Sequence, residues 1–217
     1  KFFSLSKKYK SYYVVEKTCA NSLRIPFVDH ILPDAKYIYI CRDSFDVTAS
    51  AEKRWKSSID IRYIFRKLRY VPLLDIPFYG LRYIWSHIYR FFSNEERVAF
   101  WGPSFSGFDQ IIKTHTLNET CALQWKGCVD ASEDAFTSMA KTRFLRVYYE
   151  SFVLDPEVEL SRILDFLEIS VPRAELRRVT GPISAASIGI GRRQLGLEEV
   201  KKLDKLVSNT MRNLGYD

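Results

Sequence analysis

Tyr37-Ile38-Tyr39-Ile40-Cys41 is a run of aromatic and β-branched residues without polar alternation. Such a run predicts a strand buried on both faces, the habit of parallel sheets. Arg42-Asp43-Ser44 ends it. Ser44 can cap a following helix, Asp46 suits that helix's first turn, and the helical pattern continues through Ser50 towards Trp55. Two further short strands are predicted, over 12–15 and 144–149. Asn21 and Ser22 can cap a helix running to about Leu32, with Pro26 near its start. Further helices are predicted over 120–141, with a break near Asp130, and from Asp155-Pro156, with Leu160, Ile163, Leu164 and Leu167 on one face. A loop with glycine and serine covers 181–191, and a last helix carries Val200, Leu203 and Val207.

Strands alternating with helices imply an α/β sheet with right-handed crossovers. Ligands of such sheets bind beyond the carboxyl ends of the strands. Glu16-Lys17-Thr18 and Arg42-Asp43-Ser44 both fall at predicted strand ends. A chain of 217 residues suits one domain with an elaborated insertion. The pattern changes over 56–108, leaving 1–55 and 109–217 as the core. Within 62–92 aromatics and cations interleave, Asp75 being the only acid. That segment reads as short inserted helices on the acceptor side. Its composition suits sugar stacking, contact with an anionic lipid surface, or simply the core of a helical cap.

The formal charge of +7 favours anionic partners, although solubility alone also accounts for such a value. Cys19, Cys41, Cys121 and Cys128 form no C-x-x-C pair and are read as reduced, which favours the cytoplasm. No metal is implied, because the three histidines and four cysteines lack ligand spacing. No nucleic-acid module is recognisable. A kinase would need a Walker-type lysine and a metal-binding acid, and neither is seen. The apolar stretch 71–81 is too short to span a bilayer, so membrane contact through 62–92 would be peripheral.

Arg42 carries the sharpest chemistry. A guanidinium at a strand end beside a helix N-terminus makes an anion site, with bidentate donors joined by free N–H groups and the helix dipole. Ser50, two turns on, adds a hydroxyl. The alternative is that Arg42 only pairs with Asp43 or Asp46.

The pattern strand, R-D, D-V, then serine eight residues after the arginine resembles the 3′-phosphate motif of PAPS-dependent sulfotransferases. Glu16-Lys17-Thr18 with Asn21 to Pro26, and Tyr149-Glu150-Ser151-Phe152-Val153-Leu154-Asp155-Pro156, are similar to further segments of that family. So are Ser187-Ile188-Gly189 with Arg192-Arg193-Gln194-Leu195 and the closing Leu214-Gly215-Tyr216. The set occurs in family order and looks most like the bacterial and Golgi-type branch.

The resemblance implies a P-loop-type three-layer sandwich with a central parallel sheet and a helical insertion. It also implies transfer of a sulfuryl group from PAPS, leaving PAP, to a hydroxyl acceptor for which a glycan or glycoconjugate is the first expectation. Arg42 and Ser50 would hold the 3′-phosphate. Arg192, with Ser187 and Gly189, would close over it, and Tyr149 would lie near the adenine. Lys17 would face the transferring group, where charge builds on the leaving phosphate. Other roles remain open: Lys17 paired with Glu16, Tyr149 as a core aromatic, Arg192 and Arg193 as solvated cations.

Two departures stand out. The glycine-rich loop that cradles the 5′-phosphosulfate is absent and is expected upstream of Lys1, where an anchor would shift the location to the Golgi lumen. Gly191 stands where the family carries tryptophan. The base is also open: Cys19 occupies the histidine position of the cytosolic branch, His30 reads as structural, His115 qualifies only by type, and Glu16 is a candidate. The competing reading is a degenerate sulfotransferase fold that binds sulfated or phosphorylated polymers without catalysis.

Overall fold

The computed structural model describes residues 2–56 and 101–216. Most of the predicted insertion, including 62–92, lies outside the described residues. Helix α1 spans Phe2–Tyr9, and after a short 3-10 turn over Cys19–Leu23 comes α2, Ile25–Ile31. Strand β1 is Tyr37–Cys41 and helix α3 is Ser44–Trp55. Then follow α4, Phe108–Thr114; α5, Leu117–Thr137; and β2, Phe144–Tyr148. The remaining helices are α6, Tyr149–Leu154; α7, Pro156–Phe166; α8, Arg173–Thr180; α9, Ile190–Leu195; and α10, Leu197–Asn213.

β1 and β2 pair in parallel, from Tyr37 opposite Phe144 to Cys41 opposite Tyr148. The period-2 alternation sends Tyr37, Tyr39 and Phe144 to one face. There Phe136 of α5 stacks on Phe144, with ring centroids 4.6 Å apart, and tilts against Tyr39 at 5.1 Å. α7 packs on β2, and its Arg162 Nη2 donates to the Arg146 carbonyl at 3.0 Å.

The main core gathers Cys41, Phe45, Trp125, Val129, Leu203, Val207, Met211 and Leu214 from β1, α3, α5 and α10. Phe45 is essentially fully buried. A buried phenylalanine contributes about 1.5–3 kcal/mol of transfer free energy, and truncation to alanine costs about 3–5 kcal/mol. The end of the chain is fastened to the sheet. Tyr148 donates its hydroxyl to the Leu214 carbonyl at 2.7 Å, and Tyr216 donates its own to Glu150 Oε2 at 2.8 Å.

Several expectations are corrected. Residues 12–15 form no strand; Tyr12 is 100% exposed and Val15 84%. A strand exists by pairing, and the described sheet holds β1 and β2 alone. β1 is buried on one face and not on both: Ile40 is 60% exposed, because α7 lies over β2 and leaves that side of β1 open among the described residues. The helix expected from Asn21 is broken at Arg24 and restarts with Pro26 in its first turn. Proline has no N–H to donate to a preceding turn, so it sits where none is needed. Asn21 is drawn away from capping and donates to Glu16.

The helix predicted over 120–141 begins earlier and runs unbroken through Asp130. Thr116 and Glu119 form a reciprocal capping box at its start. Tyr149 opens α6 and does not end β2, and the 181–191 loop contains a 3-10 turn over Ala185–Ser187 and the first residues of α9. Asp43, not Ser44, caps α3.

Two predictions follow from this packing. Thr116→Ala removes the acceptor for Glu119 N–H and should lower unfolding stability by about 1 kcal/mol, read as a shift in urea midpoint at unchanged slope. The second concerns alkaline pH. Burial pushes the Cys41 thiol up to about 12, and burial together with the Glu150 hydrogen bond raises the Tyr216 phenol. Unfolded thiols and phenols release their protons near ~8.5 and ~10. The folded state holds these protons more tightly, so this stability is fully present below the unfolded values and is lost as pH rises towards the folded ones. Unfolding free energy should fall by on the order of 2 kcal/mol between about pH 7.5 and pH 10.5, and Cys41→Ala should flatten the thiol's share of that fall.

Candidate functional site

β1 and β2 end level with one another, so Arg42-Asp43 and Tyr149-Glu150 emerge side by side. Asp43 N donates to Glu150 Oε1 at 3.0 Å, which joins the two strand ends. Asp43 also turns the chain into α3, where its Oδ1 accepts from Phe45 N at 2.8 Å and Asp46 N at 3.1 Å. Trp125 of α5 donates its indole N–H to the Arg42 carbonyl at 3.2 Å. The backbone beneath Arg42 is therefore held from three sides.

The Arg42 guanidinium lies over the Tyr149 ring, 4.1 Å from its centroid. Arg42 Nη2 donates to the Ser187 carbonyl at 3.2 Å and stands 3.7 Å from Asp46 Oδ2. Tyr149 Oη and Ser187 Oγ share a hydrogen bond at 2.8 Å. Arg42 Nε is buried without a hydrogen-bond partner. A buried donor left unpaired costs about 1–3 kcal/mol, so it marks either strain or a place for an acceptor from outside.

The C-terminal loop arrives from the other side. Its Gly189 sits at φ +68°, in the left-handed region that glycine occupies at little cost. Gly189 N and Gly191 N donate to Asp46 Oδ2 and Oδ1, at 2.9 and 2.6 Å. A Cβ on Gly191 would lie 2.2 Å from the Phe45 carbonyl oxygen, so no side chain fits there. The loop packs through glycine against the first turn of α3 and needs no tryptophan to do so. Arg192 then covers the Phe45 ring at 4.2 Å and pairs with Asp43 Oδ2 at 3.2 Å.

The structure thus brings Arg42, Tyr149, Ser187, Gly189 and Arg192 together. Ser50 is exposed, one turn along α3 from Asp46 and on the same side of the helix by spacing. Glu16 and Lys17 stand apart, exposed on an extended segment, with Glu16 taking hydrogen bonds from Thr18 and Asn21 and not pairing with Lys17. His30 is exposed near the end of α2, and His115 caps α4 with its Nδ1 2.9 Å from Thr114 Oγ1. No bond links either histidine to the Arg42 cluster among the described residues. Sequence reasoning missed the structural weight of Asp46, Glu150 and Tyr216. The available signals were the four-residue step from Arg42 to Asp46 and the Gly189-x-Gly191 spacing. Among the described residues no group of His, Cys, Asp and Glu is placed to hold a metal ion, and no helix is long and apolar enough to cross a membrane.

Comparison with known proteins gives three similarities. Residues 84–173 match the sulfotransferase family. A segment of 68 residues is 37% identical to protein-tyrosine sulfotransferase A of Caenorhabditis elegans. That match covers 30% of this chain and 16% of that protein, so the chain meets only a small part of its relative's length. A sulfotransferase domain from the curacin biosynthetic pathway shares the fold at a TM-score of 0.54 and 14% identity, over 100% of this chain and 67% of that one. An α/β fold with a parallel strand pair, a family match over part of the chain and a similar segment of a relative all point the same way: the chain is similar to sulfotransferases.

Proposed function

We propose that this protein transfers a sulfuryl group from PAPS to a hydroxyl acceptor, and that the Arg42 cluster is the 3′-phosphate end of the donor site. The observation that carries the reading is the buried, unpartnered Nε of Arg42 beside the N-terminus of α3. The first N–H groups of α3 are already taken by Asp43 and Met211, so the helix adds its dipole and the guanidinium N–H without an acceptor is the donor that suits a phosphate oxygen. Arg192 and the Ser187–Gly189 stretch close the same side, Ser50 stands further along α3, and Tyr149 supplies an aromatic surface for the adenine end. When bound, PAPS supplies the transferable sulfuryl group; the residues here bind and orient its nucleotide half.

In this reading Lys17 faces the leaving phosphate and Glu16 is the candidate base. Both belong to the segment that would line the phosphosulfate end of a complete P-loop-type three-layer sandwich. The 56–108 insertion, between core segments 1–55 and 109–217, selects the acceptor. Its aromatic and basic composition supports a glycan or glycoconjugate and peripheral membrane contact through 62–92. The four free cysteines support a cytoplasmic location, or the Golgi lumen if an anchor precedes Lys1. A second acceptor, a tyrosine hydroxyl on a protein, is favoured by the similarity to a protein-tyrosine sulfotransferase. Parallel assays on a glycan panel and on acidic tyrosine peptides distinguish the two.

Calorimetric titration with PAP, with AMP as the control lacking the 3′-phosphate, tests the donor site. PAP should bind at least about tenfold tighter than AMP, and Arg42→Ala should lose about 10- to 100-fold in PAP affinity, the worth of a charge-assisted hydrogen bond. Equal binding of PAP and AMP, or a salt-dependent preference for anionic polymer without nucleotide preference, would replace this reading with a non-catalytic polymer-binding module.

A further inference from the structure

Asp46 is a carboxylate whose side chain is only 1% exposed, yet it faces a site proposed to take an anion. Burying a charge is costly unless it is paired and hydrogen-bonded. Asp46 meets that condition wholly through groups of the proposed donor site. Oδ1 accepts from Gly191 N at 2.6 Å, Oδ2 accepts from Gly189 N at 2.9 Å, and Arg42 Nη2 stands 3.7 Å from Oδ2. The Ser187 carbonyl in turn accepts from the same Nη2 at 3.2 Å. The 187–191 loop is therefore held by its carbonyl on Arg42 and by its N–H groups on Asp46. The contact tolerates no side chain at Gly191, where a Cβ would stand 2.2 Å from the Phe45 oxygen.

We infer that Asp46 is a positioning residue for the donor site: it fastens the C-terminal loop to α3 and aims the Arg42 guanidinium, so that the wall around the 3′-phosphate exists before the nucleotide arrives. The inference rests on the donor reading above. It has a consequence of opposite sign from plain electrostatics. A negative charge near Arg42 repels a phosphate, so if Asp46 acted only as a charge, its removal would tighten PAP binding. If it positions, removal weakens PAP binding despite the lost repulsion. Asparagine has one carbonyl oxygen and cannot accept at both positions, so it separates the two.

The test compares wild type, Asp46→Asn and Gly191→Ala by titration with PAP and AMP, by thermal unfolding, and by trypsin cleavage after Arg192 and Arg193. The expected result is a loss of about tenfold or more in PAP affinity for both variants, a collapse of the PAP-to-AMP ratio, and faster cleavage at the loop. Gly191→Ala undocks the loop while keeping the Asp46 charge, so agreement between the variants assigns the effect to docking. A loss of PAP and AMP binding in equal proportion would overturn the inference in favour of general destabilisation. Unchanged or tighter PAP binding by Asp46→Asn, with an uncut loop, would overturn it outright. Failure of the wild type to bind PAP would instead remove the donor reading, and the cleavage rates alone would then decide whether Asp46 fastens the loop.

Discussion

The parallel pairing of β1 and β2 in one register decides where every other residue of the site can stand. Cys41 opposite Tyr148 means that the chain leaves both strands at the same height. The next residues of each, Arg42-Asp43 and Tyr149-Glu150, then meet without any loop having to reach. A register slip by one residue would turn each strand over and send Phe144 away from Phe136. The stack of Phe144 on Phe136 and the tilt of Tyr39 against the same ring oppose that slip. Aromatic packing beneath the sheet thus fixes polar geometry at its end.

From that point the structure is a sequence of carboxylates, each accepting from at least one backbone N–H group. Glu150 takes Asp43 N and the Tyr216 hydroxyl, Asp43 takes Phe45 N and Asp46 N, and Asp46 takes Gly189 N and Gly191 N. These acids join β2, α3, the C-terminal loop and the chain's last residues around Arg42. Cations near them, Arg42 and Arg192, are partly paired and partly open: Arg42 Nε has no partner, and the Arg192 side chain is 44% exposed. An arrangement with satisfied acids and under-satisfied guanidinium donors is one that an anion can complete.

Much of this was legible in the sequence, for physical reasons that differ from residue to residue. β1 and α3 were readable because a short apolar run followed by Arg42-Asp43-Ser44 has few other ways to fold. The convergence of Ser187, Gly189 and Arg192 on Arg42 is a contact across about 145 residues, and only the family resemblance pointed to it. Residues 12–15 misled, since β propensity does not create a strand without a neighbour to pair with. The both-face burial of β1 failed for a similar reason: hydrophobic composition reports what a residue tolerates, and its neighbours decide whether it is covered. Asp46 was read as a helix-dipole residue because a first-turn acid is commonplace there. That its carboxylate instead binds a distant loop depends on Gly189 and Gly191 arriving opposite it.

Gly191 shows how one local requirement spreads. The loop's backbone must approach α3 closely enough for Asp46 to reach two N–H groups, and that distance leaves no room for a Cβ. A tryptophan at this position would have to hold the loop by burying its ring, with the backbone standing further off. Glycine holds it by hydrogen bonds to a buried charge, which are shorter-ranged and more directional. The loop is thereby held by hydrogen bonds and not by buried apolar area. Hydrophobic closure depends on area and tolerates small shifts. Docking through Asp46 depends on two N–H vectors and on the neighbouring guanidinium, so the loop's position and the aim of Arg42 become one property of the site.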